Sequence, residues 1–265
     1  MNLKNVICLG VAGNFAHHLE QAGELEDFKD VKTAEPDAPK GIFPFYLPRS
    51  DSFLGIYSIG TTMLQLPKYE ANAQVEPEIG VLFDIVYDDE MQVVDLMARK
   101  FTTFNDCTIR KEGAKKISEK KSWGENSKGI GDKWIEIDIF EEGGLMDKYH
   151  LCSFVKRDAV LHPYGVNAPL LGYSYFYAKL KKWLIEKMNT QEDFGPLEDI
   201  AGHLKACNYP PQAFISIGAT AYADFGEHHY LESGDEVYVI AYHKDEDEPS
   251  LDSSLTKVIL HQVVQ

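Results

Sequence analysis

Long apolar runs are missing from this sequence. No stretch approaches the ~18 uninterrupted apolar residues that a membrane helix needs, so no membrane span is expected. The opening MNLKNVICLGVAGNF has only a short apolar run, VICLGVAG, followed by polar residues, where a signal peptide needs a basic start, a longer apolar segment and a small-residue cleavage site. It reads as a first buried strand rather than a secretion signal. Cysteine is scarce, and Cys8, Cys107, Cys152 and Cys207 form no Cys-x-x-Cys, no zinc-ligand spacing and no disulfide framework. Buried thiols in a cytoplasmic protein are the expectation. A Walker phosphate loop, a Rossmann glycine fingerprint, a Gly-x-Ser-x-Gly elbow and a His-Glu-x-x-His are all absent, which argues against nucleotide-dependent and serine-hydrolase chemistry. Positive charge is also in short supply. With 26 Lys and Arg against 42 Asp and Glu, the formal net charge of −16 repels nucleic acid and anionic membranes. The partner to expect is a small anionic metabolite, met by a local positive centre that a metal or a few lysines supply.

What is present suffices for a substantial core: 265 residues, 44% hydrophobic, read as a single domain over 1–265. A strand from Val6 to Leu9 leads through a turn with Gly10 and Gly13 into a helix from Asn14. Residues 26–50, punctuated by Pro36, Pro39, Pro44 and Pro48, read as loop. Strands are expected over 63–66, 76–86, 92–97, 100–110, 134–140, 213–219 and 236–242. A helix around 173–190 places Tyr173, Phe176, Tyr177, Leu180 and Leu184 on one face, a stripe suited to core packing. The class is α+β and β-rich, with helices at the periphery.

The clearest chemical signal is Gln74-Val75-Glu76-Pro77-Glu78-Ile79. Alternate side chains of a strand share a face, so Glu76 and Glu78 point the same way and repel each other. A hard divalent cation relieves that repulsion and accepts both oxygens. Pro77 removes a ladder donor, which suits an edge or a bulge. Farther on, Asn105-Asp106-Cys107-Thr108-Ile109-Arg110 puts Asp106, Thr108 and Arg110 on one strand face. Asp106 would complete a three-oxygen site, with water and substrate oxygens filling an octahedron. These residues alone leave a second reading open: a solvated Glu-x-Glu face and an Asp106–Arg110 ion pair.

The order of these segments resembles the fumarylacetoacetate hydrolase family over roughly residues 5–130 and 210–240. That family shows Gly-x-Asn-Tyr-x-x-His, then Glu-x-Glu, then Asn-Asp-x-Thr-x-Arg, then a lysine soon after a tryptophan. The matching segments here are Gly13-Asn14-Phe15-Ala16-His17-His18, Glu76-Pro77-Glu78, Asn105 to Arg110, and Trp123 followed by Lys128. A late Gly-Thr segment is matched by Gly218-Ala219-Thr220. The resemblance implies a mixed β-roll with peripheral helices, assembled as a homodimer. It further implies Mg²⁺ (or Mn²⁺ or Ca²⁺) held by Glu76, Glu78 and Asp106. The implied reaction is hydrolysis, decarboxylation, isomerisation or hydration of a small 2-oxo or 1,3-dicarbonyl acid through a metal-stabilised enolate.

Lys128 corresponds to the family lysine that stabilises enolate charge, whereas Lys115, Lys116, Lys120 and Lys121 read as solvated charges. Arg110 and Thr220 are the candidate substrate-binding residues, Thr220 acting with backbone amides around Gly218. His18 takes the family's catalytic histidine position within a lid from Asn14 to Glu24 hinged at Gly10 and Gly13. Its glutamate partner is replaced by Gln21, so Glu24 is the candidate to complete the dyad. A family Phe-x-Lys-Pro appears here with Leu47 in place of lysine, and Arg49 follows as a surface charge. The histidines His228 and His229 read as surface residues. Residues 140–210 depart most from the family pattern and read as insertion-like. Two outcomes fit these departures: a metal-dependent enzyme, or a non-catalytic descendant that binds a metabolite or partner.

Overall fold

A computed structural model describes residues 2–265 except 16–17, 22, 24, 112, 246–250, 252–253 and 255, and except the side chains of residues 18, 19 and 25. The first half runs through β1 (Ile7–Ala12), α1 (His18–Gln21), β2 (Gly41–Tyr46), β3 (Ile59–Gly60), β4 (Met63–Leu64), β5 (Ala73–Gln74), β6 (Pro77–Tyr87) and β7 (Val93–Asn105). It continues with β8 (Thr108–Ile109), α2 (Ser118–Lys121), β9 (Lys128–Ile130) and β10 (Ile135–Glu136). Then follow β11 (Tyr149–Arg157), β12 (Val160–Pro169), α3 (Tyr177–Thr190), α4 (Ile200–Ala206), β13 (Gln212–Ser216), α5 (Asp224–His228), β14 (Glu236–His243) and β15 (Val258–Val264).

The larger sheet runs β2-β1-β13-β6-β7-β9-β3, with β10 also paired to β7. Strand β6 carries an almost unbroken buried sequence, PEIGVLFDI, because apolar residues cover it on both faces. Ile79, Val81, Phe83 and Ile85 enter one core, which they share with Phe101, Leu151, Val155, Val237, Val239 and Leu260. Leu82 turns to a second core with Cys8, Phe43, Phe45, Phe104 and Phe214. Each such side chain contributes roughly 1.5–3 kcal/mol by leaving water. Gly80 admits the Phe214 ring: a Cβ there would stand 2.1 Å from its Cζ. The first core lies against a second sheet of order β12-β11-β14-β15-β4. A two-stranded ribbon of β5 and β8 stands apart from both sheets.

Several expectations shift. Pro44 does not keep residues 41–46 out of a strand, since β2 ends the sheet's strand order and pairs with β1. The strands expected at 92–97 and 100–110 are one strand, β7, followed by the short β8. Strand β6 is interior, lying between β13 and β7, and tolerates Pro77 as its first residue rather than as an edge or bulge. The 173–190 helix begins at Tyr177, and Tyr173, Tyr177, Leu180 and Leu184 are buried in the core as expected. Within residues 140–210, β11 and β12 form a hairpin, and β11 continues the sheet by pairing with β14. Among the described residues, no helix is long and apolar enough to cross a membrane.

A candidate metal centre

The register of β6 and β7 brings the carboxylates together. Pro77 lies opposite Asn105 and Glu78 opposite Phe104. The pairing continues one bond beyond the strands, where the Asp106 amide donates to the Glu76 carbonyl at 2.9 Å. Glu76, Glu78 and Asp106 thereby offer oxygens within 4.8 Å of one another. They are 3%, 1% and 0% exposed. Burial first, then the neighbouring Asp106 carboxylate, pushes the Glu78 carboxyl well above its ordinary range. Glu78 Oε2 accepts the Gly218 amide at 2.8 Å.

Among the described residues, three cations face this cluster. Strand β9 pairs Gly129 with Asn105, and so delivers Lys128 beside Asp106. Its Nζ lies 2.7 Å from Asp106 Oδ1, donates to the Cys107 carbonyl at 2.7 Å and stands 5.8 Å from the Trp123 ring centre. Burial is the main cause that lowers the Lys128 pKa, and Asp106 opposes it. Arg110, carried just past β8, sets Nη1 3.6 Å from Glu76 Oε1. Its Nε donates to Gln74 at 2.6 Å and its Nη2 to the Tyr222 hydroxyl at 2.9 Å. Arg110 therefore pairs with Glu76, where the sequence offered Asp106 as its partner. The third cation is Lys121. Its Nζ bonds Glu76 Oε2 and lies 2.8 Å from Asp106 Oδ2, with the Phe43 ring centre at 5.3 Å. The sequence reading of Lys121 as a solvated charge is thus corrected: it is 3% exposed. The run Lys115-Lys116…Lys120-Lys121 hid it, because helix α2 is too short for periodicity to separate an inward lysine from an outward one.

Other candidates fall nearby or outside. The Thr220 amide donates to the Pro77 carbonyl at 3.2 Å, and its buried Oγ1 has no hydrogen-bond partner among the described residues. The Gly218 amide, expected to serve a substrate together with Thr220, is engaged by Glu78 instead. Glu24 and the His18 side chain lie outside the described residues, although His18 begins α1. Gln21 is described. Its amide oxygen accepts the Tyr222 amide at 2.8 Å and its nitrogen donates to the Tyr222 carbonyl at 3.3 Å. Asn14, fully buried, bonds Tyr175 through both ends of its amide and the Ile217 carbonyl at 2.8 Å. Leu47 is core and Arg49 is exposed. His228 and His229 are exposed, as expected. A cavity of about 830 Å³ opens beside Trp123, lined also by Met63, Leu66, Lys68 and Tyr69.

The donor set fits a hard divalent cation. It consists of carboxylate oxygens alone, gathered from two strand ends, and both Asp106 oxygens are buried and face only ammonium groups among the described residues.

A model of the family described as "Family of unknown function (DUF5718)" matches residues 24–260. No curated protein matches the chain. Among solved structures, a 5-carboxymethyl-2-hydroxymuconate delta-isomerase from Mycobacterium smegmatis is 16% identical with a TM-score of 0.55, over 97% of this chain and 78% of that one. A protein from Oleispira antarctica, provisionally described as a fumarylacetoacetate isomerase/hydrolase, is 15% identical with a TM-score of 0.56, over 98% and 93%. A 2-keto-3-deoxy-D-arabinonate dehydratase complexed with magnesium and 2,5-dioxopentanoate is 12% identical with a TM-score of 0.54, over 98% and 73%. These likenesses establish the fold: α+β, β-rich and of the fumarylacetoacetate hydrolase type.

Proposed function

The chain belongs to the DUF5718 family, and we propose that it is a divalent-metal-dependent enzyme acting on a small 2-oxo or 1,3-dicarbonyl carboxylic acid. The observation that carries this reading is the convergence of Glu76, Glu78 and Asp106 within 4.8 Å in a buried site. The magnesium in the arabinonate dehydratase, a protein of the same fold, supports it. In this reading Glu76, Glu78 and Asp106 hold Mg²⁺, or Mn²⁺ or Ca²⁺ in its place. When bound, the ion supplies Lewis acidity toward the substrate's carboxylate and keto oxygens.

The chain's own residues supply the rest. Lys128, held in place by the Cys107 carbonyl, donates to an oxygen on which negative charge develops. Arg110, braced by Gln74 and Tyr222, and the hydroxyl of Thr220, which has no partner among the described residues, orient the substrate carboxylate. His18 on α1 moves a proton, with Glu24 as its carboxylate partner. The protein works in the cytoplasm, which the four buried free thiols favour. Turnover of acylpyruvates, oxaloacetate and unsaturated 2-oxo acids, measured with Mg²⁺ and with chelator, tests the reading. Metal-dependent turnover of at least one is expected; none across the panel overturns it.

A second reading, a non-catalytic descendant that binds a metabolite or partner, is favoured by one observation. Gln21, at the position of the family's glutamate, spends its amide on the Tyr222 backbone. Oxalate binding without turnover of any 2-oxo acid would select this reading.

A further inference from the structure

Lys121 has no part in the chemistry above, yet it bridges two of the three carboxylates assigned to the ion. Even with all three carboxylates ionised, the formal charges of the centre already balance: Glu76, Glu78 and Asp106 against Arg110, Lys121 and Lys128. A divalent ion added to that set leaves two excess positive charges in a buried site, which is costly at low dielectric. Relief comes most readily from the cation with the mobile point charge. Arg110 is forked onto Gln74 and Tyr222, and Lys128 is bonded to a backbone carbonyl. Lys121 ends a long flexible stem and holds the oxygens that the ion itself would take.

The helix beneath Lys121 is fixed. Ser118 donates to Glu198 at 2.9 Å, the Ile117 amide to the Pro196 carbonyl at 3.1 Å, and the Ser122 hydroxyl to the Phe45 carbonyl at 2.8 Å. Exchange therefore proceeds by a swing of the side chain, with α2 staying in place.

We propose that Lys121 is a tethered competitor of the metal: its ammonium bridges Glu76 and Asp106, and a divalent ion enters only as that ammonium leaves both. The proposal rests on the metal-centre reading and adds to it that metal binding is an exchange of cations, which keeps the affinity low.

Calorimetric titration with Mn²⁺ of the wild type, Lys121→Met and Asp106→Asn tests this. Lys121→Met is expected to bind about tenfold more tightly or better, and Asp106→Asn to lose binding. Equal affinity of wild type and Lys121→Met overturns the competitor role and leaves the metal reading standing. No Mn²⁺ binding by either protein overturns the metal reading itself, and the competitor role with it. Amine acylation of the wild type, read by mass spectrometry, is independent of whether the variant folds. Labelling of Lys121 is expected to rise as Mn²⁺ fills the site, and labelling unchanged at a Mn²⁺ concentration where calorimetry reports a filled site overturns the proposal.

Discussion

Replacing Asp106 by asparagine removes a negative charge and almost no volume. The Lys128 and Lys121 ammoniums, 2.7 and 2.8 Å from its two oxygens, then lose a shared counter-charge inside a buried site. Breaking a buried pair by removing one partner costs about 3–5 kcal/mol. Here the amide nitrogen of asparagine must face an ammonium whichever way the side chain turns, so we expect the middle of that range or above, about 4 kcal/mol. At roughly 2 °C per kcal/mol for a chain of this length, the melting temperature falls by about 8 °C. A double-mutant cycle isolates the cause. Lys121→Met in the Asp106→Asn background removes one of the two stranded ammoniums, and we expect it to restore about 2 kcal/mol. The assays are thermal unfolding for the melting temperature and urea unfolding for the cycle, both at pH 7 with chelator present, so that metal linkage does not enter. A melting temperature within about 2 °C of wild type, or a cycle additive within about 0.5 kcal/mol, would refute the account of the centre as a mutually compensating charge cluster.

Burial pushes the Glu198 carboxyl from 4.5 up to about 7. A carboxyl so raised binds its proton more tightly folded than unfolded, so its contribution is complete below about pH 4.5 and lost as pH climbs through 7. Between pH 5 and 8 the wild type should lose about 2–3 kcal/mol relative to Glu198→Gln in chemical denaturation, and parallel curves would contradict this. Asn14→Ala strands the Tyr175 and Ile217 backbone groups that the Asn14 amide satisfies, and should cost about 2–4 kcal/mol, read as a drop in urea midpoint at constant slope. We further expect a twofold dimer. Sedimentation should give about twice the 29.9 kDa chain mass at micromolar concentration, insensitive to added salt, whereas a monomer peak would exclude the assembly.

The carboxylate cluster was largely legible in the sequence because its residues sit on or next to the ends of long strands. Alternation alone placed Glu76 and Glu78 together, whereas Asp106, expected within a strand over 100–110, lies just past the end of β7, where pairing with the β6 end brings it alongside. The fold class was legible for the same reason, through β6, β7, β13 and β14, whose apolar runs are strong. What escaped was set by tertiary contact. Strand β2 contains Pro44, and only its place at the end of the strand order makes that tolerable. The β11–β12 hairpin carries two prolines, a histidine and a glycine in β12 that blur its alternation, and β14 completes its pairing from eighty or more residues away. Lys121 was illegible because its role depends on α2 being fastened to residues near 196–198 and to Phe45, contacts that no local pattern encodes.

The carboxylates owe their positions to the backbone pairing of β6 with β7, extended by a single amide bond from Asp106 to Glu76. The carboxylate cluster is thus set by the sheet and is as hard to alter as the sheet itself. The groups around it sit on short or irregular pieces: α1, α2, the β5–β8 ribbon and the 217–222 loop. Such pieces can be exchanged, lengthened or re-sequenced without disturbing the cluster. A chain on this scaffold can change what surrounds the carboxylates while keeping the carboxylates in place, and Lys121, on a four-residue helix, is one such surrounding group.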